Sequence, residues 1–177
     1  MKKIILINGL IAGGIVGAMM MITMPLYENG TLHIENGEWL GYSTMVIALS
    51  SIFFGIKSYR DQHSNGAIGF WGGVRIGLLI TLVASLIYAL SWEITRNNMK
   101  GDLMKMMNEK HMEKVKASGA TGAEMAAEKE KMDSFLTLYQ NPFFRFSITM
   151  IEIAPVGIVI TFLSAALLRR KEFLPVN

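Results

Sequence analysis

Between Gly69 and Ala89 every fourth residue is small: Gly69, Gly73, Gly77, Thr81, Ser85 and Ala89. Large apolar residues such as Ile76, Leu78, Leu82 and Leu86 surround this stripe, and no charge occurs between Arg75 and Glu93. A helix that is apolar on every side and carries one smooth seam suits lipid, with a second helix pressed into the seam. A soluble core can hold one such helix, but three more apolar runs follow the same rule, over residues 4–27, 39–56 and about 146–168, the first two free of charge and the last broken only by Glu152. Roughly 20 apolar residues cross the hydrocarbon core as a helix. The 177-residue chain, 51% hydrophobic, therefore reads as one membrane domain with spans at about 4–25, 39–56, 70–92 and 145–168. The expected fold class is all-α, an integral membrane four-helix antiparallel bundle.

The first run follows Lys2 and Lys3 and is too long, with no small-residue cleavage site after it, to be a signal peptide. It carries its own glycine repeat, Gly9, Gly13 and Gly17, which lets two backbones approach closely. The third span is the expected partner, through Gly13, Gly17, Gly73 and Gly77. Pro25 is expected to end the first helix. Lys2 and Lys3, Lys57 and Arg60, and the run Arg169, Arg170, Lys171 fall on one side of four spans, and the linker holding Glu28, Glu35 and Glu38 falls on the other. Basic flanks stay in the cytoplasm, so both termini are expected there, in the inner membrane of a bacterium. Trp39 and Trp92 then fall at the outer interface and Trp71 at the inner one.

Residues 93–141 become an extracytoplasmic segment between spans three and four. Its charges are balanced, and long loops translocate largely regardless of charge. Met99, Leu103, Met106 and Met107 recur at helical spacing, a turn follows at Ser118-Gly119-Ala120, and Thr121 with Glu124 makes a capping box that starts a second helix. Met125, Met132, Phe135, Leu136 and Tyr139 mark one face of it. The segment reads as an amphipathic helical hairpin, closed by Asn141-Pro142, with proline at a helix start where its missing N–H matters little.

Several phrases resemble an uncharacterised family of small bacterial membrane proteins known as a domain of unknown function. They are Glu38-Trp39-Leu40-Gly41-Tyr42, Gly55-Ile56-Lys57-Ser58-Tyr59-Arg60-Asp61, Lys116-Ala117-Ser118-Gly119-Ala120, Asn141-Pro142, and Glu152-Ile153-Ala154-Pro155-Val156-Gly157. The resemblance covers nearly the whole chain. It implies four spans and a long helical third loop, and it implies no activity.

Few residues carry chemistry. The absence of cysteine excludes disulfides, thiolate metal sites and cysteine nucleophiles, and the three histidines have no zinc-type spacing. No phosphate-binding loop, nucleophile elbow or HExxH pattern occurs, and nothing calls for a cofactor or a nucleic-acid partner. Glu152 is the one ionisable residue well inside a span, and an intramembrane carboxylate points to function with a partner to be named. Arg75 is too far along its helix to pair with it and reads as another basic flank residue. Ser85 and Tyr88 on span three, with Ser43 and Thr44 on span two, fall at the depth of Glu152, and Pro155 frees the carbonyl of Ile151 nearby. That set forms either an interhelical polar contact or part of a polar path. Met104, Met107 and His111 are soft-metal candidates, although methionine at helical spacing more often fills apolar faces.

The sequence reading is thus a non-enzymatic membrane accessory or scaffolding protein. Its hairpin, residues 93–141, would engage a protein partner or a second copy. A small proton-coupled carrier or channel using Glu152 is the alternative.

Overall fold

A computed structural model describes residues 1–32, 34–99, 103–170 and 173–174, with the side chains of residues 28, 34–38 and 103–107 outside the description. These residues form seven helices and, among those described, no strand: α1 Lys2–Glu28, α2 Ile34–Leu49, α3 Ser51–His63, α4 Phe70–Asn98, α5 Leu103–Ala117, α6 Gly122–Tyr139 and α7 Pro142–Leu168. The fold is all-α. Four stretches are long and apolar enough to cross a membrane: Lys2–Tyr27, Trp39–His63, Phe70–Asn98 and Pro142–Leu168.

The helices run past the apolar runs because a polar residue beyond the hydrocarbon does not interrupt the backbone ladder. Pro25 does not end α1, which continues to Glu28. Proline forfeits its own N–H bond, but its carbonyl still accepts, here from Asn29 N at 3.1 Å. Span two comprises α2 and α3, joined at Ser50. There Phe53 N bonds back to Ser50 O at 3.0 Å and the Ser50 hydroxyl donates to Ile47 O at 2.6 Å, a local tightening between the two helices.

α4 is the central helix. α1 packs along one side of it and α7 along another, and these are the two most extensive interfaces. α1 runs parallel to α4: a Cβ at Gly9 would stand 2.5 Å from Val83 Cβ, one at Gly13 would stand 2.8 Å from Ala84 O, and Gly17 meets Ser91. The first and third spans therefore meet through the α1 glycines, but Gly73 and Gly77 face elsewhere. A Cβ at Gly73 would lie 3.1 Å from Ala165 Cβ and one at Gly77 2.6 Å from Thr161 Cγ2, while Gly157 meets Thr81. The seam of α4 is thus filled by α7, which runs antiparallel to it, as alternating spans must. Gly69 takes no part in packing: it is the N-cap of α4, and a Cβ there would meet nothing within 4 Å.

Span two closes the bundle unevenly. α3 packs on α1, α4 and α7, and Ile52 and Ile56 are fully buried there. α2 packs on α1 and α7 but barely touches α4. In the half of the bundle near Lys2 and Lys3, α3 reaches α4 as well as α1 and α7, whereas in the half near α5 and α6 α2 is seated on α1 and α7. The α1–α4 register also brings Lys2 and Lys3 level with Arg75, which is exposed, as a basic flank residue should be.

Candidate functional site

Glu152 lies ten residues into α7, about 15 Å from its start at 1.5 Å per residue. Its neighbour Ile153 is fully buried, whereas Glu152 itself is exposed. The Tyr88 hydroxyl, on α4 and 6% exposed, donates to Glu152 Oε2 at 3.3 Å. Of the four residues expected around the acid, only Tyr88 reaches it. The Ser85 hydroxyl is buried but donates to Thr81 O at 2.9 Å, Thr44 donates to Leu40 O at 2.8 Å, and Ser43 is exposed. A serine or threonine in a helix can satisfy itself on the preceding turn, and in lipid that local bond wins. Thr81, Ser91, Thr95 and Thr149 do the same. These hydroxyls thus donate within their own helices, and Thr161 Oγ1 is buried without a partner. Pro155, exposed, sits within an unbroken α7.

Two charged clusters were not foreseen. At the hairpin end, Arg145, 4% exposed, grips Glu93 with both arms: Nε to Oε1 at 2.7 Å and Nη2 to Oε2 at 2.8 Å. Its Nη1 donates to Tyr139 O at 3.0 Å. The Tyr139 hydroxyl accepts from Trp92 Nε1 at 2.7 Å, and the Phe135 ring packs at a tilt on Tyr139 and edge-on against Phe144. Burial pushes the Tyr139 hydroxyl up in pKa, against the pull of the Trp92 bond and the Arg145 charge. Trp92 is thus a buried indole with a tyrosine partner, unlike Trp39 and Trp71, which are 79% and 72% exposed. The register that sets Gly77 on Thr161 is the one that brings Glu93 to Arg145, so a basic residue at the start of a span was the available signal.

At the other end, Arg60 is not a solvated flank residue. It is fully buried, donating to Asp61 Oδ1 at 2.7 Å, to Phe173 O at 2.8 Å and to Leu174 O at 2.5 Å. Lys57 Nζ reaches the other oxygen of Asp61 at 2.6 Å.

α5 and α6 pack on each other, and α6 meets α7. Gly119, with φ +83°, makes the turn between them, and Thr121 caps α6 in the expected box with Glu124. The Thr121 backbone N–H and hydroxyl hold the Glu124 carboxyl below its ordinary range. His111 faces across to Glu128 Oε1 at 3.2 Å, and that bond, with Lys131, holds Glu128 low as well. The imidazole is thus engaged by a carboxylate. The side chains of Met104 and Met107 lie outside the described residues. Tyr139 is the one buried residue of α6, and Met125, Met132, Phe135 and Leu136 are half-buried.

Four apolar helices, two of them seated on a central one, define a multi-pass membrane protein. More narrowly, the chain belongs to the DUF4199 family, proteins of unknown function, whose family model matches residues 7–170. No curated protein and no solved structure matches the chain.

Proposed function

We propose that this is a non-enzymatic accessory or scaffolding protein of the bacterial inner membrane, with both termini in the cytoplasm and α5–α6 outside as a hairpin that engages a partner protein. The observation that carries the reading is how the hairpin is held. Its root is fixed by Arg145, Glu93, Trp92 and Tyr139, while among the described residues the rest of it buries no side chain. A firmly rooted pair of helices with so thin a core gains stability from a further surface. The sidedness rests on the basic flanks.

The test places a photo-crosslinking residue at exposed hairpin positions such as Ala126 or Lys129, and at Leu82 on the outer face of α4 as a control. A discrete protein adduct from the hairpin, absent at Leu82, is the expected result. Hairpin positions that yield only what Leu82 yields would overturn the reading. A reporter at residue 120 that is active only in the cytoplasm would overturn the sidedness.

The Tyr88–Glu152 contact favours a second reading, a small proton-coupled carrier. An acid inside a span that is both hydrogen-bonded and exposed can exchange a proton. Proton-driven uptake by proteoliposomes that disappears in Glu152→Gln would select this reading over the first.

A further inference from the structure

Arg60 and Arg145 are both buried, but they are not held alike. Arg145 gives Nε and Nη2 to Glu93, so the carboxylate itself fills the fork. Arg60 gives only Nε to Asp61, whose other oxygen is taken by Lys57. Its two terminal nitrogens depend on the strap of chain that follows α7: Nη1 donates to Phe173 O at 2.8 Å and Nη2 to Leu174 O at 2.5 Å. Two oxygens set side by side before Nη1 and Nη2 are what a phosphate offers a guanidinium. Here two neutral peptide carbonyls hold that place.

The strap is lightly held. Phe173 and Leu174 are 36% and 47% exposed. The Phe173 ring meets Phe53 edge-on, with centroids 6.4 Å apart, and its N–H bonds to Arg170 O at 3.1 Å. Leu174 takes φ +51°, a left-handed conformation that a leucine adopts only at a cost. Charged oxygens bond a guanidinium more strongly than carbonyls do, so a phosphate anion can compete for the place the strap fills.

Such an anion is concentrated at this end of the bundle. Lys2, Lys3, Arg75, Arg169 and Arg170 are exposed there, and Asp61, already bound to Lys57 and Arg60, is the one acid at this end among the described residues. Arg60 stands one helical turn beyond the fully buried Ile56, where the apolar run gives way to the basic flank. Basic pockets between helix ends at that level suit lipid headgroups.

We propose that Arg60 is a phosphate site latched by the chain itself. Residues 173–174 cover the guanidinium, and a phosphate anion, carried by a phospholipid headgroup or free in solution, displaces them. The site uses none of the residues on which the accessory and carrier readings rest, so it stands or falls apart from them.

The experiment uses the full-length protein in phosphatidylcholine nanodiscs. Because the chain has no cysteine, a nitroxide on Leu174→Cys reports the strap alone, and it should gain mobility when the anion is added. A response to phosphatidylglycerol but not to inorganic phosphate supports the site with lipid as its occupant. A response to inorganic phosphate supports it with the free anion. Binding of the anion that moves the label, as fluorescent phosphatidylglycerol or radiolabelled phosphate, is then measured without the label. Two substitutions that both loosen the strap should part company there. Phe173→Ala removes the ring contact but keeps Arg60, and should tighten binding about threefold. Arg60→Gln removes the guanidinium, and should weaken binding about tenfold or more. Arg60→Lys keeps the charge but not the fork and should weaken it as well; with Phe173→Ala it decides if the Gln variant does not fold. A label that responds to neither anion would overturn the proposal. So would weaker binding by Phe173→Ala, or binding by the Arg60 variants equal to that of the natural sequence.

Discussion

Arg60 and Arg145 look alike in the sequence, each a basic residue at the edge of an apolar run, yet neither is solvated. Both bury the guanidinium and spend its fork on one carboxylate and two backbone carbonyls. A planar, weakly hydrated cation with five donors tolerates this where lysine would not. Removing Arg145 leaves Glu93 and the Tyr139 carbonyl without donors. We expect Arg145→Ala to destabilise the protein by about 2–3 kcal/mol, below the full value for a buried pair because Glu93 is partly exposed. The double variant with Glu93→Ala should lose less than the two single losses combined. Unfolding in detergent measures the cycle, and strict additivity would show that the pair does not matter. Charge counting could not have found these arginines, because the flank rule treats every basic residue as a solvated marker of sidedness. Glu152 was legible for the opposite reason: a lone acid in an apolar run breaks the pattern. Depth along the helices points to Tyr88 and with equal right to Ser43, Thr44 and Ser85, of which Thr44 and Ser85 bond within their own helices and Ser43 is exposed.

The glycines separate pattern from partner. Spacing showed that α1 and α4 each carry a seam, but spacing holds no direction around the axis, so it could not say that Gly73 and Gly77 face α7 while Gly9, Gly13 and Gly17 face α4. Adjacent positions make a sharp comparison. A Cβ at Gly13 would strike the Ala84 carbonyl at 2.8 Å, and one at Gly14 would meet nothing within 4 Å. Gly13→Ala is expected to destabilise by about 2 kcal/mol, and Gly14→Ala to stabilise by about 0.5–1 kcal/mol through helix propensity. At Gly77 the obstacle is the stiff Thr161 side chain, so Thr161→Ala should rescue much of the loss caused by Gly77→Ala. Melting temperatures in one detergent test all four, and equal effects at Gly13 and Gly14 would contradict the α1–α4 contact. The α5–α6 pair answers to acid instead. Glu124 and Glu128 are both held below the ordinary value of 4.5, so the stability they give is present above that value and is lost as pH falls below it. Because the chain has no cysteine, spin labels introduced at Glu113 and Ala127 report the separation of the two helices cleanly. Their distance distribution should broaden below about pH 4.5 and stay narrow at neutral pH. Broadening toward neutral pH instead would remove the two carboxylates from the account.

The whole bundle is asymmetric along its axis: α3 packs against α4 in one half, and in the other α2 packs on α1 and α7 instead. A scaffold needs only this one arrangement, with its dry half permanently dry. A carrier must also visit the reverse arrangement, in which Glu152 is covered and the α3 half admits water, because alternating access moves one bundle against another around a fixed site. Ile56 reports which holds. It is fully buried in α3, and its Cγ2 would lie 3.4 Å from a Cβ at Gly73. With no other cysteine in the chain, Ile56→Cys gives a single buried thiol on α3 and Ser43→Cys a single exposed thiol on α2. In proteoliposomes treated with a membrane-impermeant thiol reagent, Ser43→Cys should react from the hairpin side. Under the accessory reading, Ile56→Cys should stay protected from both sides, with or without a proton gradient. The control is the same variant unfolded in denaturant, where it must react fully. Under the carrier reading, Ile56→Cys becomes reactive from the Lys2 side when the gradient is imposed, and Glu152→Gln abolishes that response. Gradient-dependent labelling of Ile56→Cys would therefore displace the accessory reading at the level of the whole molecule. We expect protection, because Ile52, Ile56, Ile80 and Leu168 pack there with no exposed atoms.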